Sequence, residues 1–580
     1  MKKIFISLIV AAASFMFVGC EGMLDNPRKG VVDLGSYYKT DKDAQEALVA
    51  AYYTAGRFYS NTMWTDAGWN DCPFLSMWEY ATDEIFVAGS DKTDGLPGNE
   101  IQAFRADYNN TLIAGTYECY YMIIKAANDV IDHFEGELAD TETKKQCVAE
   151  ARSLRAQAQF LLALGWGTAP IADHNLSGDD KPANASSQKD VLQWVADECD
   201  KAIPDLKPRN YFGALQEDKY YGYAGALRVT QEYAYALKGK ALMSMPAKAD
   251  RDYNAAKAAL KKVIDSKQFK LVPGEQMASL NHNSGRASSE AVFELNFDFF
   301  SGMNSYGRTQ PNFRWLWSWR SDHMEPPTGT GSEFVSGGWG WVNPSKKFVD
   351  KILAYDGPDS YRRKAWIKSY DEVLYDMPYL SDADCPTKEA KEADPNRGVK
   401  ASGIYGNVGY FMWKRLFRDE DRVMEDGNVA NWNLTIMRYA EVLLLYAECC
   451  AETNDNSGLE ALKLVNERAG SKTPVTKCDM ETVKSEKFLE CWLDGTRFQD
   501  LIRWGDAASE LADNGKYYPT FRDKLSYEGA AKHEGFIDEN DADWCAKLYN
   551  VGFKVGKSEL FPFPLVELNV NPNLIQNPGY

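Results

Sequence analysis

The sequence predicts a mostly α-helical fold, a degenerate tetratricopeptide-like solenoid of helical pairs packed against a loop-rich region with minor short strands. Two observations carry this. Apolar residues recur every three or four positions along several long stretches, as one face of a helix requires. Between residues 270 and 430 that period fades, and glycine and aromatic residues accumulate.

The chain opens with Lys2 and Lys3, an apolar run from Ile4 to Val18, then Gly19 and Cys20. A basic start, a short apolar run and small residues before a cut mark an export signal. The run is shorter than the ~20 residues a membrane-crossing helix needs. A cysteine at the cut can carry diacylglycerol on its thiol, so residues 1–19 read as a lipoprotein signal peptide and Cys20 as the lipidated residue. Residues 20–40, polar and with Pro27, read as lipid anchor and flexible tether.

Helical spacing then predicts helices over 43–58, 111–134, 143–165 and near 189–203. The string GWGTAP at 165–170 stops the third of these. Residues 226–245 and 252–265 form a predicted antiparallel pair, with Tyr233, Leu237 and Ala241 facing Ala256, Leu260 and Val263 across a turn at Pro246. Residues 436–453 and 458–469 repeat that design, with Ala440, Leu444 and Ala447 facing Ala461 and Val465. Stacked helical pairs with small residues at the crossings are the unit of a solenoid, although the strict repeat signature is absent and a generic bundle has the same period. The string EAVFELN at 290–296 alternates and predicts a short strand.

Composition narrows the function. The formal charge is −19, and more negative once Lys2 and Lys3 are removed. An acidic body is unsuited to nucleic acid, whose phosphates need a basic field, and equally to a polybasic grip on anionic lipid. Eleven cysteines include no CxxC, and the five histidines are scattered, which argues against zinc and against a redox pair. Most of the cysteines fall in helical text and read as free, buried thiols. Asp382 and Asp384 are the nearest approach to a Ca²⁺ loop but lack the full ligand spacing. No metal or cofactor is expected. GxSxG, HExxH and a glycine-rich phosphate loop are also missing.

Several strings together resemble one family. They are Arg438-Tyr439-Ala440-Glu441 running to Glu448, Asn466-Glu467-Arg468-Ala469-Gly470, and Glu490 to Gly505 with its Gly495-Thr496-Arg497-Phe498-Gln499-Asp500-Leu501 centre. Leu560-Phe561-Pro562-Phe563-Pro564 and the closing Gln576-Asn577-Pro578-Gly579-Tyr580 complete the set in the C-terminal half. Glu150 to Ala156, Gly165 to Pro170 and Asn128 to Ile131 extend it to the N-terminal half, with Phe498 departing from the usual Trp. The chain resembles the SusD/RagB outer-membrane lipoproteins of Bacteroidetes-type bacteria. The resemblance implies an N-terminal SusD-like helical region over 41–270 and a C-terminal RagB/SusD region over 271–580. The latter would hold an aromatic loop-rich insert at 271–430 and helical motifs at 431–510. It implies no enzyme activity. It implies a surface-exposed protein, lipid-anchored in the outer membrane, that captures glycan and delivers it to a TonB-dependent transporter. A peptide-binding member of the family and a lipid-anchored glycoside hydrolase are the competing readings. Glu441, Glu448, Arg438 and Arg497 read as charge pairs at helix crossings rather than as catalytic groups.

Sixteen tryptophans give a separate hint about the ligand. A Trp face stacks on the apolar face of a pyranose while neighbouring polar groups bind its hydroxyls. Trp64, Trp69, Trp78 and Tyr80 lie in a first aromatic loop, and Trp315, Trp317, Trp319, Trp339 and Trp341 cluster in a second. Trp315, Trp317 and Trp319 alternate and would share one face if extended, with Arg314 and Arg320 beside them to bind hydroxyls or a carboxylate. The candidate ligand-binding residues are therefore Trp64, Trp69, Trp78, Tyr80, Arg314, Trp315, Trp317, Trp319 and Arg320. The same pattern also fits a tryptophan-rich core for the loop region. Trp413, Trp492 and Trp504 lie in motif or helical contexts and read as core.

Overall fold

The computed structural model describes residues 37–60, 62–64, 69–87, 95–213, 224–297, 316–318, 324–325, 339–369, 372, 387, 400–401, 408–418, 421, 433–519 and 545–580. Its longer helices are α1 (Asp41–Ser60), α2 (Thr111–Phe134), α3 (Glu142–Trp166), α4 (Gln188–Ala202), α5 (Gln231–Met243) and α6 (Tyr253–Asp265). They continue as α7 (Lys346–Tyr355), α8 (Tyr439–Glu452), α9 (Leu459–Ala469), α10 (Met480–Glu490) and α11 (Arg497–Trp504).

Local chemistry sets where these helices begin and end. The side chains of Asn110, Thr141, Ser187, Thr230 and Asp252 each accept a backbone N–H from the first turn of the helix that follows, satisfying a donor with no partner inside the helix. The Thr230 cap is why α5 starts five residues after the 226 that periodicity alone predicts. Gly167 ends α3 at φ +66°, and a Cβ there would meet the Leu560 side chain at 2.8 Å.

Consecutive helices pack on one another from α1 through α6; α6 then packs on α8, and α8 on α9 and α10. The two predicted pairs are thus neighbours in one helical stack. Their close approach depends on small residues, since a Cβ on Gly239 of α5 would sit 2.8 Å from Leu260 and 3.1 Å from the Ala256 carbonyl of α6. The fold is predominantly helical with minor short strands, as the periodicity predicts.

The strands form two-stranded antiparallel ladders. Ala291–Leu295 pairs with Leu434–Arg438, so the expected strand exists and residues 436–438, which periodicity assigns to a helix, are its partner. The strand alternates in sequence yet is buried throughout. Phe293 packs on Tyr52 and Tyr233 on one side. On the other side Glu294 accepts hydrogen bonds from Ala287 N, Asn433 Nδ2 and Thr435 Oγ1, which make its burial tolerable. Burial still holds its pKa above the ordinary value.

A buried charge network ties the C-terminal motifs together. Arg438 pairs with Glu290 at 2.7 Å, Glu490 at 2.9 Å and Asp494 at 2.5 Å. Arg468 bridges the same Glu290 and Glu490 at 2.8 and 2.6 Å. Arg503 holds Glu448 through two hydrogen bonds of 2.8 Å, Lys240 holds Glu441 at 2.7 Å, and Arg497 holds Asp83 through two of 2.9 Å. All four residues read as structural from the sequence are therefore paired between elements. The surrounding cations keep Asp494 far below the usual carboxylate range, and Glu490 is lowered to about 2 against the opposing effect of burial. Such networks fix the register of the segments that contribute to them more than they add net stability.

The C-terminus is built into this body. Asn577 Nδ2 donates to the Phe561 carbonyl at 2.7 Å and the Trp166 carbonyl at 3.3 Å, and Trp166 Nε1 donates to the Pro562 carbonyl at 2.8 Å. Eight cysteines have described side chains, and all but Cys478 are buried. Among the described residues no helix is long and apolar enough to cross a membrane.

Candidate ligand-binding site

The two aromatic segments singled out by the sequence meet in space. The short helix Ser76–Tyr80 is buried along its length, and Tyr80 Oη accepts a hydrogen bond from Trp317 Nε1 at 3.1 Å. Residues 316–318 are clamped in turn. The Trp341 N–H donates to the Leu316 carbonyl at 3.0 Å, the Gly340 N–H to the Ser318 carbonyl at 2.7 Å, and the Phe417 N–H to Ser318 Oγ at 2.9 Å. Strand Val342–Pro344 continues from Trp341 and pairs with Ile85–Val87, five residues beyond Tyr80. Trp341 lies against Gly95, where a Cβ would approach its ring to 3.2 Å.

This geometry corrects part of the expected site. Trp317 and Tyr80 are 0 % exposed and Trp78 is 1 % exposed. Trp78 donates its Nε1–H to Tyr120 Oη at 2.9 Å and packs edge-on against Phe561, at one side of a crevice of about 240 Å³. None of these three rings offers a face to solvent, so they cannot stack on a sugar in this conformation. Tyr80 and Trp317 underpin the segment that bonds Trp341, whereas Trp78 packs against Tyr120 and Phe561. Their alternation and polar neighbours in sequence are equally those of a core in which each indole N–H needs an acceptor.

Among the described side chains of these two segments, the tryptophan ring that reaches solvent is Trp339. It is 39 % exposed and sits edge-to-face on Trp341 with centroids 5.2 Å apart, while Trp341 is only 4 % exposed. An exposed indole supported from beneath by a buried one is a preformed stacking surface. Trp339 belongs to the second tryptophan cluster but lies outside the set of candidate ligand-binding residues. Its signal was the run Ser336-Gly337-Gly338-Trp339-Gly340, an aromatic with no apolar neighbour to bury it.

The remaining expectations fall out as follows. Trp64 and Trp69 occupy directly opposite positions of a hairpin formed by Thr62–Trp64 and Trp69–Asp71. Arg314, Trp315, Trp319 and Arg320 lie outside the described residues, as do Cys20, Asp382 and Asp384. Trp413 and Trp492 are buried, and Trp504 is half-buried with its Nε1–H on Glu448. Trp413 lies between two cations, Lys368 and Arg418, at 4.8 and 4.5 Å from its ring centroid.

The site is underpinned by two adjacent carboxyls. Glu79 and Glu84 are both buried. Glu79 hydrogen-bonds to Glu84 and accepts the Gly495 N–H, while the Leu493 N–H donates to Glu84. A hydrogen bond between two carboxyls needs one of them to hold a proton. Burial, offset in part by the Gly495 N–H, raises Glu79 to about 7, and burial together with the charge on Glu79 raises Glu84 well above the ordinary value.

The described residues contain no group of three His, Cys, Asp or Glu placed to hold a metal ion. His282 and Asp421 pair at 2.7 Å, but both are 0 % exposed and the second ring nitrogen of His282 bonds to the Lys414 carbonyl. That arrangement suits a structural pair.

Comparison with known proteins fits this architecture. The sequence profile of the SusD family matches residues 289–580. A SusD-like protein of Bacteroides ovatus is 22 % identical over 522 residues, covering 86 % of this chain and 82 % of its own. Among solved structures, surface glycan-binding protein A from Bacteroides thetaiotaomicron superposes with a TM-score of 0.68 at 22 % identity, over 94 % of this chain and all of that one. The structure of that protein in complex with laminarihexaose gives 0.67 at 22 % identity, over 93 % and 99 %. The structural likeness extends over nearly the whole molecule and the profile over its C-terminal half: the chain belongs to the SusD family.

Proposed function

We propose that the protein is a cell-surface glycan-binding lipoprotein that captures oligo- or polysaccharide and passes it to a TonB-dependent outer-membrane transporter, without chemistry of its own. The observation that carries this reading is the exposed Trp339 on a buried aromatic floor, in a chain of the SusD family. The floor is rigid and the ring above it is accessible, so a pyranose face can be received at little ordering cost. Two solved structures of surface glycan-binding protein A from Bacteroides thetaiotaomicron, one in complex with laminarihexaose, point to the same ligand class. In this reading Cys20 carries the lipid and holds the body at the outer membrane beside its transporter. Trp64, Trp69, Arg314, Trp315, Trp319 and Arg320 remain proposed contributors to the surface around Trp339.

Isothermal titration of the mature chain against laminarin and a panel of other soluble polysaccharides tests the proposal. Saturable binding to at least one glycan is expected. Trp339→Ala should weaken it about tenfold, as loss of an exposed aromatic anchor does, with an unchanged melting temperature. Binding of peptides with no glycan bound would favour a peptide-capturing member of the family. Release of shorter sugars from the same mixtures would make the protein an enzyme. Equal affinity in Trp339→Ala would remove this surface from the site.

A further inference from the structure

Two cysteines meet where three helices join. Cys450 stands in the last turn of α8, and Cys478 precedes Asp479, whose side chain caps α10 by accepting the Thr482 N–H. Gly458, at the start of α9, lies beside both. A Cβ on Gly458 would stand 2.8 Å from Cys450 Cβ and 2.8 Å from Cys478 Sγ. Cys450 Cβ and Cys478 Sγ are therefore no farther apart than twice that distance.

The glycine is not needed for its backbone. Its φ of −72° and ψ of −13° are open to any residue. What it supplies is room, since any side chain would fill the space that the two cysteines border. Ala447 Cα, one turn before Cys450, closes the same space at 3.0 Å.

Both sulfurs lie against one turn of α8 and are weakly held. Cys478 Sγ–H donates to the Ala447 carbonyl at 3.6 Å, and Cys450 Sγ is 3.5 Å from Ser457 Oγ. Sulfur is a weak hydrogen-bonding partner, so a covalent bond would displace little. Burial, together with the charge on Cys450, raises the Cys478 thiol to about 11, and burial raises Cys450 as well. Thiols of high pKa are slow to react and are poor leaving groups, so a bond formed here would resist reduction. Cys449 is engaged elsewhere, with its Sγ 4.0 Å from Met243 Sδ of α5.

We propose that Cys450 and Cys478 form a disulfide in the oxidising compartment that the export leader implies, locking the start of α10 to the end of α8. The oxidant is a small-molecule or protein disulfide. The Cys478 thiolate, the more exposed of the two, attacks one of its sulfurs, releases one thiol and leaves a mixed disulfide. Cys450, deprotonated in turn, attacks Cys478 Sγ and releases the second thiol. Two cysteine thiols are thereby oxidised by two electrons, the S–S bond of the oxidant is reduced to two thiols, and the two cysteine protons end on them. The bond would close the loop from Cys450 to Cys478 and restrict the unfolded chain. The inference is independent of the glycan reading.

The test uses the mature chain, reduced with dithiothreitol, freed of it and equilibrated with oxidised glutathione at about pH 8. It is then alkylated with iodoacetamide and digested with trypsin without reduction. Mass spectrometry should find a linked pair of peptides, one holding Cys449 and Cys450 and the other beginning at Cys478, that separates on reduction. The pair should form equally in Cys449→Ser and not in Cys450→Ser. The oxidised protein should melt about 2–4 °C above the reduced one, a difference that Cys478→Ser abolishes. Full alkylation of both cysteines, glutathione retained on Cys478 with no linked pair, or a link that needs Cys449 would each overturn the proposal. So would a linked pair with equal melting temperatures in the two redox states, because the bond would then lock nothing.

Discussion

Glu79→Gln should make the protein more stable at neutral pH while leaving it unchanged in mild acid. Glu79 is buried, shares a proton with Glu84, and is raised to about 7 chiefly by burial. A carboxyl whose folded pKa exceeds its unfolded value favours the fold when protonated. Its contribution is fully present below about pH 4.5 and is lost as pH rises through about 7. One pKa unit is about 1.4 kcal/mol, so the whole effect is on the order of 3 kcal/mol, of which about 2 kcal/mol falls between pH 5 and 8. Glutamine keeps an acceptor for the Gly495 N–H and a donor for Glu84, and cannot ionise. Other buried carboxyls with raised pKa, Glu294, Glu486 and Glu567, add the same slope to both proteins and drop out of the comparison. Glu490, lowered to about 2, and Asp494, lower still, cost stability only in stronger acid, and Lys414, lowered to about 8 by burial, acts above this window with the opposite slope. Thermal unfolding followed from about pH 5 to about pH 8 should show the two proteins coinciding at the acid end. The variant should melt about 1–3 °C higher at the neutral end. Parallel curves, or a variant less stable at every pH, would refute the shared-proton account of this pair.

Three further substitutions test the scaffold. Arg438→Met leaves Glu290, Glu490 and Asp494 short of a buried cation and should cost about 3–5 kcal/mol, read as a loss of melting temperature and soluble yield; a change under about 1 kcal/mol would mean that Arg468 and Lys414 compensate. Trp317→Ala should destabilise by about 3–5 kcal/mol because the ring is wholly buried, whereas Trp317→Phe loses mainly the hydrogen bond to Tyr80, so a Trp317→Ala protein of normal stability would contradict the burial. Asn577→Ala removes the donor to the Phe561 and Trp166 carbonyls and should cost about 1–3 kcal/mol and make the C-terminus a substrate for carboxypeptidase, which the wild type should resist.

What could be read in the sequence follows from how local each signal is. Helix period is local, so α1 to α6, α8 and α9 stand within a few residues of their predicted spans. Errors occur where a distant partner decides. Residues 436–438 continue the apolar period of α8, yet they are held extended because Ala291–Leu295 lies beside them. The charge pairs were readable as pairs but not their partners, since Glu290 and Glu490 reach Arg438 from segments far apart in the chain. The aromatic site was readable only as a region. An alternating tryptophan is written the same way whether its ring faces a sugar or a core, and Trp317 is decided by Tyr80, more than two hundred residues earlier. Trp339 differs because it stands among glycines and is left partly exposed on top of Trp341.

The position of Trp339 depends on a junction that the helical stack alone does not supply. Glu84 joins three segments there. Its carbonyl accepts the Ser345 N–H at 3.0 Å and Trp492 Nε1–H at 3.3 Å, and its carboxyl accepts the Leu493 N–H at 3.3 Å. Leu493 and Gly495 both stand in the left-handed region, at φ +60° and +74°. For leucine that conformation carries a cost on the order of 1 kcal/mol, and it persists only where the surroundings impose it. Here they are the two buried carboxyls, which take the N–H groups of both residues. Strand Val342–Pro344 leaves Trp339 only three residues away from this anchored pairing, and Ser345 Oγ–H closes its far end on the Asp83 carbonyl at 2.8 Å. The residues that hold the aromatic surface therefore lie in the family's Glu490 to Gly505 block, distant in sequence from the ring they position. The block thereby sets the height and tilt of the floor on which Trp339 rests.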